Sequence, residues 1–228
     1  MSLRADEGFL TRSGLRDAVI LLSAGAAIFS AVTAGEIVVA SVLLLLGSFI
    51  HFLSKGVLIR NEVLCREGIY RIVRHPYYLA NYLIDSSFCL FSGNLYLILL
   101  YPFLFFWSYG PTFRKEEGTL TEKHGDVSVA YLLSTPPVFP DRHSIFHVKS
   151  LLSGYSFARI SGKEVARIIR FYAMALLVLA LHGVGGGRLL SLAFLSDRAV
   201  TVLLVLAGLL YAVSFTILKL RRRHKGEA

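Results

Sequence analysis

From Ala18 to Ser54 the chain runs 37 residues with a single formal charge, Glu36. As one helix this stretch would be about 55 Å long, against roughly 30 Å of hydrocarbon in a bilayer. It therefore has to fold back on itself. Ala34-Gly35-Glu36 is the turn on offer, which predicts helices over 17–34 and 37–54. Tyr77 to Phe113 repeats the pattern, with Asp85 as its only charge. Ser92-Gly93-Asn94 divides that stretch into a helix over 76–91 and a longer one from 95. Pro76 suits a first helical turn, where its missing N–H costs nothing, whereas Pro102 is expected to kink the fourth helix. Ile168–Val184 and the charge-free Ala199–Leu218 form a third pair, broken by Gly183-Val184-Gly185-Gly186-Gly187. The expected fold class is all-α: a polytopic transmembrane bundle of about six helices.

Composition agrees. The 228 residues are 55% hydrophobic and 17% charged, with a mean hydropathy of +0.62. A 25.2 kDa globule cannot hide that much apolar side chain, so lipid is the expected solvent. The same richness excludes disorder. Two cysteines, Cys65 and Cys89, build no disulfide framework, and there is no CxxC or Cys/His zinc spacing. A net charge of +9 would suggest nucleic acid in a soluble protein. In a membrane protein it marks cytoplasmic loops facing anionic headgroups, and no nucleic-acid partner is expected.

The basic residues orient the helices. Lys and Arg number three in 1–17, five in 55–75, nine in 114–170 and five in 219–225, while the turns at 34–36 and 92–94 carry none. Both termini, the 55–75 loop and the 114–170 segment are therefore expected in the cytoplasm. The first helix reads as an uncleaved anchor, for want of a signal-peptide h-region and clear cleavage site. The chain divides into an N-terminal hairpin (1–54), a core carrying the motifs (55–140), a cytoplasmic connector (141–165), and a C-terminal hairpin with a basic tail (166–228). The fourth helix is expected to run past the membrane and end at Pro136, Pro137 and Pro140.

Two clusters carry chemistry. Gly68-Ile69-Tyr70-Arg71-Ile72-Val73-Arg74-His75-Pro76-Tyr77-Tyr78 sets arginines, a histidine and tyrosines at a helix N-terminus on the membrane surface. That arrangement suits an anion. It equally suits a positive-inside anchor with an aromatic belt. Arg114-Lys115-Glu116-Glu117-Gly118-Thr119-Leu120, followed by His124-Gly125 and Tyr131, places adjacent carboxylates at the cytoplasmic end of a membrane helix. They can bind ribose hydroxyls or an amine, lie near a sulfonium, or pair with Lys and Arg on a solvated face.

In order, Gly68, Tyr70, Arg74-His75-Pro76, Tyr78, Glu116-Glu117, Leu120, Gly125, Tyr131, Pro136 and Pro140 resemble the isoprenylcysteine carboxyl methyltransferase and phospholipid methyltransferase superfamily. The likeness covers roughly residues 45–140. It implies an integral membrane methyltransferase using S-adenosylmethionine held without a Rossmann sheet, and no strand–GxGxxG–helix unit occurs here. Carried over by position, Leu64, Tyr70, Arg74, His75, Pro76, Tyr78 and Glu116 are the cofactor-binding candidates. Arg114 and Glu117 are the catalytic candidates, and Thr112 and Asp85 the substrate-side ones.

Thr112 is also a departure. Carboxyl methyltransferases of this superfamily carry there an arginine that holds the substrate carboxylate. Arg114 lies about 200° round the helix from it. The expected acceptor is thus a lipid-like or hydrophobic small molecule other than prenylcysteine, arriving from the bilayer. The alternatives are a sterol-type membrane reductase binding NADPH, or a non-enzymatic scaffold or transport protein. The Glu-Glu-x-x-Leu spacing fits the methyltransferase better. Asp85 is expected to face the bundle or a cavity, since a lipid-facing carboxylate would cost roughly 3 kcal/mol. His51 and His182 are expected at the interfaces.

Overall fold

The structure is a computed structural model that describes residues 12–58, 64–184 and 197–226. It is helical throughout, with no strand among the described residues. In chain order the α-helices are α1 (Arg12–Phe29), α2 (Ala34–Val57), α3 (Pro76–Phe91), α4 (Leu95–His124), α5 (Asp126–Ser134), α6 (Gly162–Val184) and α7 (Asp197–Gly226). Short 3-10 helices lie at Gly68–Arg71, Ser144–Ser150 and Phe157–Arg159. Ala34–Val57, Leu95–His124, Gly162–Gly183 and Arg198–Arg221 are long and apolar enough to cross a membrane. At 18 and 16 residues, α1 and α3 are shorter.

The first turn is displaced from its expected place. α1 ends at Phe29 and α2 already begins at Ala34, so the break is Ser30–Thr33 and Glu36 is helical. Thr33 is the N-cap. Its hydroxyl accepts from the Glu36 N–H at 3.2 Å, and the Glu36 carboxylate accepts from the Thr33 N–H at 2.7 Å. This reciprocal capping box satisfies two amides that would otherwise lack partners and explains a charge amid apolar sequence. α3 and the start of α4 lie where expected. α4 runs on through Pro102 and also through Pro111. It stops at His124, before the expected proline cluster, because Gly125 takes φ 53° and starts α5.

The bundle has two distinct ends. At one, the N-termini of α3 and α6 meet the C-termini of α2 and α4. At the other, His182 bridges two chain breaks: Nδ1 meets the Ser30 carbonyl at 2.9 Å and Nε2 the Phe91 carbonyl at 2.8 Å. His182 is buried between these carbonyls. Gly93, at φ 62°, packs against the Ala31 carbonyl there and has no room for a Cβ.

The core is built on α3, which packs most closely on α2. Ile84 and Phe88 are fully buried. Gly47 lets the two helices approach: a Cβ at that position would lie 3.0 Å from the Ala80 carbonyl oxygen. Asp85, also fully buried, accepts from Arg16 Nε at 2.9 Å and from the Tyr101 hydroxyl at 3.1 Å. This pair ties α1, α3 and α4 together. α6 packs on α1 and α3, and α7 chiefly on α6. The outer faces of α2, α4 and α7 expose Val38, Leu45, Phe49, Phe103, Trp107, Val205 and Phe215, as expected of helices solvated by lipid.

Candidate functional site

The Arg74-His75-Pro76 segment is positioned by backbone pairing. The Arg74 N–H donates to the Pro136 carbonyl at 2.8 Å, and the His75 N–H to the Pro137 carbonyl at 2.9 Å. Prolines lack an N–H and cannot extend α5, so their free carbonyls serve as acceptors here. His75 then caps α3, with Pro76 as its first residue. Tyr131, on α5, donates its hydroxyl to the Tyr70 carbonyl at 2.7 Å, and the Tyr70 hydroxyl lies 3.1 Å from Ser54 Oγ on α2.

The two sequence clusters meet around the His75 ring. His75 Nε2 lies 3.2 Å from Glu117 Oε1, which also takes an ion pair from Arg74 Nη1 at 3.0 Å. His75 Nδ1 lies 3.6 Å from Glu116 Oε2. The Tyr78 hydroxyl donates to the other Glu116 oxygen at 2.5 Å. Stacking on Tyr78 and Phe113, with ring centroids 5.4 and 5.2 Å away, fixes the imidazole plane. Burial pulls the His75 pKa below the ordinary histidine value. The hydrogen bond donated to Glu117 and the charges of both carboxylates oppose this, and Arg74 reinforces it.

These groups border a cavity of about 770 Å³. Leu64, Tyr70, Arg74, His75, Pro76, Tyr78, Thr112 and Glu116 all line it. Three residues from the sequence reading do not. Glu117 lies behind the ring, held by Arg74 and His75. Arg114 is exposed on another face of α4. Asp85 is held within the bundle by Arg16 and Tyr101.

Tyr77 of the first motif cluster also lines the cavity, together with Lys55, Glu164 and Arg167, which were not anticipated. Tyr77 stands between α2 and α6: Lys55 Nζ sits 4.2 Å from its ring centroid, and Arg167 Nη1 donates to its hydroxyl at 2.8 Å. Glu164 pairs with Arg167 at 3.0 Å and with Lys55 at 3.7 Å, and accepts from His51 Nε2 at 2.9 Å. His51 is thus buried and paired. α6, of the C-terminal hairpin, closes one side of the site through Glu164 and Arg167. Arg159 of the connector caps α2, donating from Nη1 to the Gly56 carbonyl at 3.0 Å.

The lining offers partners to both an anion and a cation. Arg74 Nε is buried without a hydrogen-bond partner and stands ready for an anionic oxygen. Glu116 and Glu164 are acceptors for hydroxyl or ammonium groups, the tyrosine faces attract a cation, and the volume is that of a cofactor pocket. Compared with known proteins, the chain matches no protein-family model, no curated protein and no solved structure.

Proposed function

We propose that the protein is an integral membrane methyltransferase that uses S-adenosylmethionine to methylate a lipid-like or hydrophobic small molecule. The observation carrying this reading is the meeting of the two motif clusters at His75 and Glu116, whose Nδ1 and Oε2 lie 3.6 Å apart on the wall of one cavity of cofactor size. Leu64, Tyr70, Arg74, His75, Pro76, Tyr78 and Glu116 would hold the cofactor. S-adenosylmethionine supplies a methyl group already activated by a sulfonium, so what remains for the protein is alignment and exclusion of water.

The side chains divide that work. Arg74 offers its unpaired Nε to a carboxylate. Glu116, oriented by the Tyr78 hydroxyl, accepts from a hydroxyl or ammonium. Glu117 is a positioning residue: it holds Arg74 and His75 in place from outside the cavity. Tyr77 and Tyr78 present aromatic faces that favour positive charge.

In this reading the chain crosses the bilayer six times, with the shorter α1 and α3 held inside the bundle by the Arg16–Asp85 pair. The basic end carrying the cavity faces the cytoplasm, as do both termini. The acceptor reaches the site from the hydrocarbon, beside Tyr77 and Tyr78. The test is incubation of purified protein with methyl-labelled cofactor and either membrane lipid extract or prenylcysteine. Label should enter the extract. Efficient methyl-ester formation on prenylcysteine, with no other product, would overturn the acceptor assignment.

A further inference from the structure

A second cavity, of about 880 Å³, adjoins the first, and Tyr77, Tyr78 and Arg167 line both. Part of its wall is apolar, from Ile20 and Leu21 on α1 and Phe171 and Met174 on α6. Arg16, Arg167 and Arg170 add three guanidinium groups, against one carboxylate, Asp17. Two of those cations are already matched, Arg16 by Asp85 at 2.9 Å and Arg167 by Glu164 at 3.0 Å. Arg170 has no ion-pair partner among the described residues, where its Nε makes a long bond of 3.4 Å to the Ala166 carbonyl. Two further polar atoms of the lining residues are buried without a hydrogen bond: Arg16 Nη2 and Asn81 Oδ1. Buried polar atoms left unpaired are costly and uncommon, so Arg16 Nη2 and the unmatched Arg170 on one cavity wall call for an anionic oxygen, and the Asn81 Oδ1 acceptor calls for a donor such as a headgroup hydroxyl. The apolar wall calls for a hydrocarbon chain.

We propose that this cavity binds an amphiphile with an anionic headgroup, the anion held by Arg170 and Arg16 Nη2 and the chain lying against Ile20, Leu21 and Met174. A carboxylate and a phosphate share the required chemistry. Arg170 on α6 and Arg16 on α1 supply the cations of this cavity. This gives the C-terminal hairpin a function in recognition. That the amphiphile is the methyl acceptor rests on the methyltransferase reading. That it binds does not.

Binding is therefore measured without S-adenosylmethionine. Oleate, 1-oleoyl lysophosphatidate, neutral monoolein and inorganic phosphate are titrated calorimetrically into the protein in a maltoside detergent. At least one of the two anionic amphiphiles should bind about tenfold more tightly than monoolein and than inorganic phosphate, and the tighter of the two identifies the headgroup. R170Q should weaken that binding about tenfold while keeping wild-type helicity. Equal affinity for monoolein, equal affinity for inorganic phosphate, or an R170Q variant that binds as wild type would each overturn the proposal. The ligand comparison on wild-type protein decides the matter if R170Q does not fold.

Discussion

His75 Nε2 donates to Glu117 Oε1 at 3.2 Å, across 42 residues of sequence. A carboxylate that also pairs with Arg74 can only accept, so the Nε2 position of His75 carries a proton. In the neutral ring Nδ1 is then a lone pair, turned to the side where Glu116 lies 3.6 Å away. One histidine thus links the cavity-facing carboxylate to the one behind it and fixes where α3 meets α4.

This geometry sets a pH dependence. Burial holds the His75 pKa below its ordinary value of about 6.5, against the pull of both carboxylates. The unfolded chain therefore takes up this proton first as pH falls. The contribution of His75 to stability is complete above about pH 6.5 and is lost as pH drops through the lower folded value. Thermal unfolding in detergent between pH 7.5 and 5 should show a steeper loss for wild type than for His75→Gln, which cannot titrate. A wild-type midpoint that rises on acidification relative to the variant would contradict this.

The proposed cofactor contacts should be separable from folding. His75→Ala and Glu116→Ala should each weaken S-adenosylmethionine binding by about 1.5–3 kcal/mol, as expected for loss of one charge-assisted contact. Calorimetry gives the affinity and circular dichroism checks the helices. Wild-type affinity in both variants would remove these residues from the cofactor site.

The Arg16–Asp85 pair makes a different demand. Asp85 is fully buried, and Arg16 is nearly so. Asp85→Leu leaves an uncompensated guanidinium and should cost about 3–5 kcal/mol, whereas the double variant Asp85→Leu/Arg16→Met should regain most of that. Unfolding titrations in mixed micelles supply both values, and a double variant no better than Asp85→Leu would mean that the pair is not the coupling.

Close approach of α2 and α3 depends on Gly47. A Cβ there would meet Ile84 Cγ1 at 2.7 Å and the Ile84 nitrogen at 3.1 Å. Gly47→Ala should destabilise by about 1–3 kcal/mol through overpacking, read in the same titrations. At the exposed Gly118, where a Cβ meets nothing within 4 Å, alanine should not destabilise.

Much of the helical layout was legible because apolar runs and turn residues are local signals. Ser92-Gly93-Asn94 and Pro76 marked their boundaries within the chain itself. Ala34-Gly35-Glu36 misled because small residues and a charge read as a turn, while the capping box that places Glu36 inside α2 depends on Thr33 reaching back to it. The break at Gly125 was missed because nothing in its neighbours signals a positive φ. In the site, motif residues on α3 and α4 were legible by resemblance. The contributions of Lys55, Glu164 and Arg167 were not, since they come from α2 and α6, brought to the site only by packing. Arg16 looked like one more orienting charge, and only the fold shows Asp85 as its partner. Arg114 was drawn in by sequence proximity to Glu116, but the helical twist turns it outward.

The central claim is that the cavity around His75 and Glu116 holds S-adenosylmethionine. The most direct measurement is thermal unfolding of the purified protein in detergent, with S-adenosylmethionine or NADPH added. At about 100 times its dissociation constant a ligand that binds the folded state alone adds roughly 2.7 kcal/mol, which is readily visible as a raised midpoint. S-adenosylmethionine should raise the midpoint of wild type and raise it less in Glu116→Ala, and NADPH should leave both unchanged. A midpoint that rises with NADPH, or with neither compound at millimolar concentration, would contradict the claim.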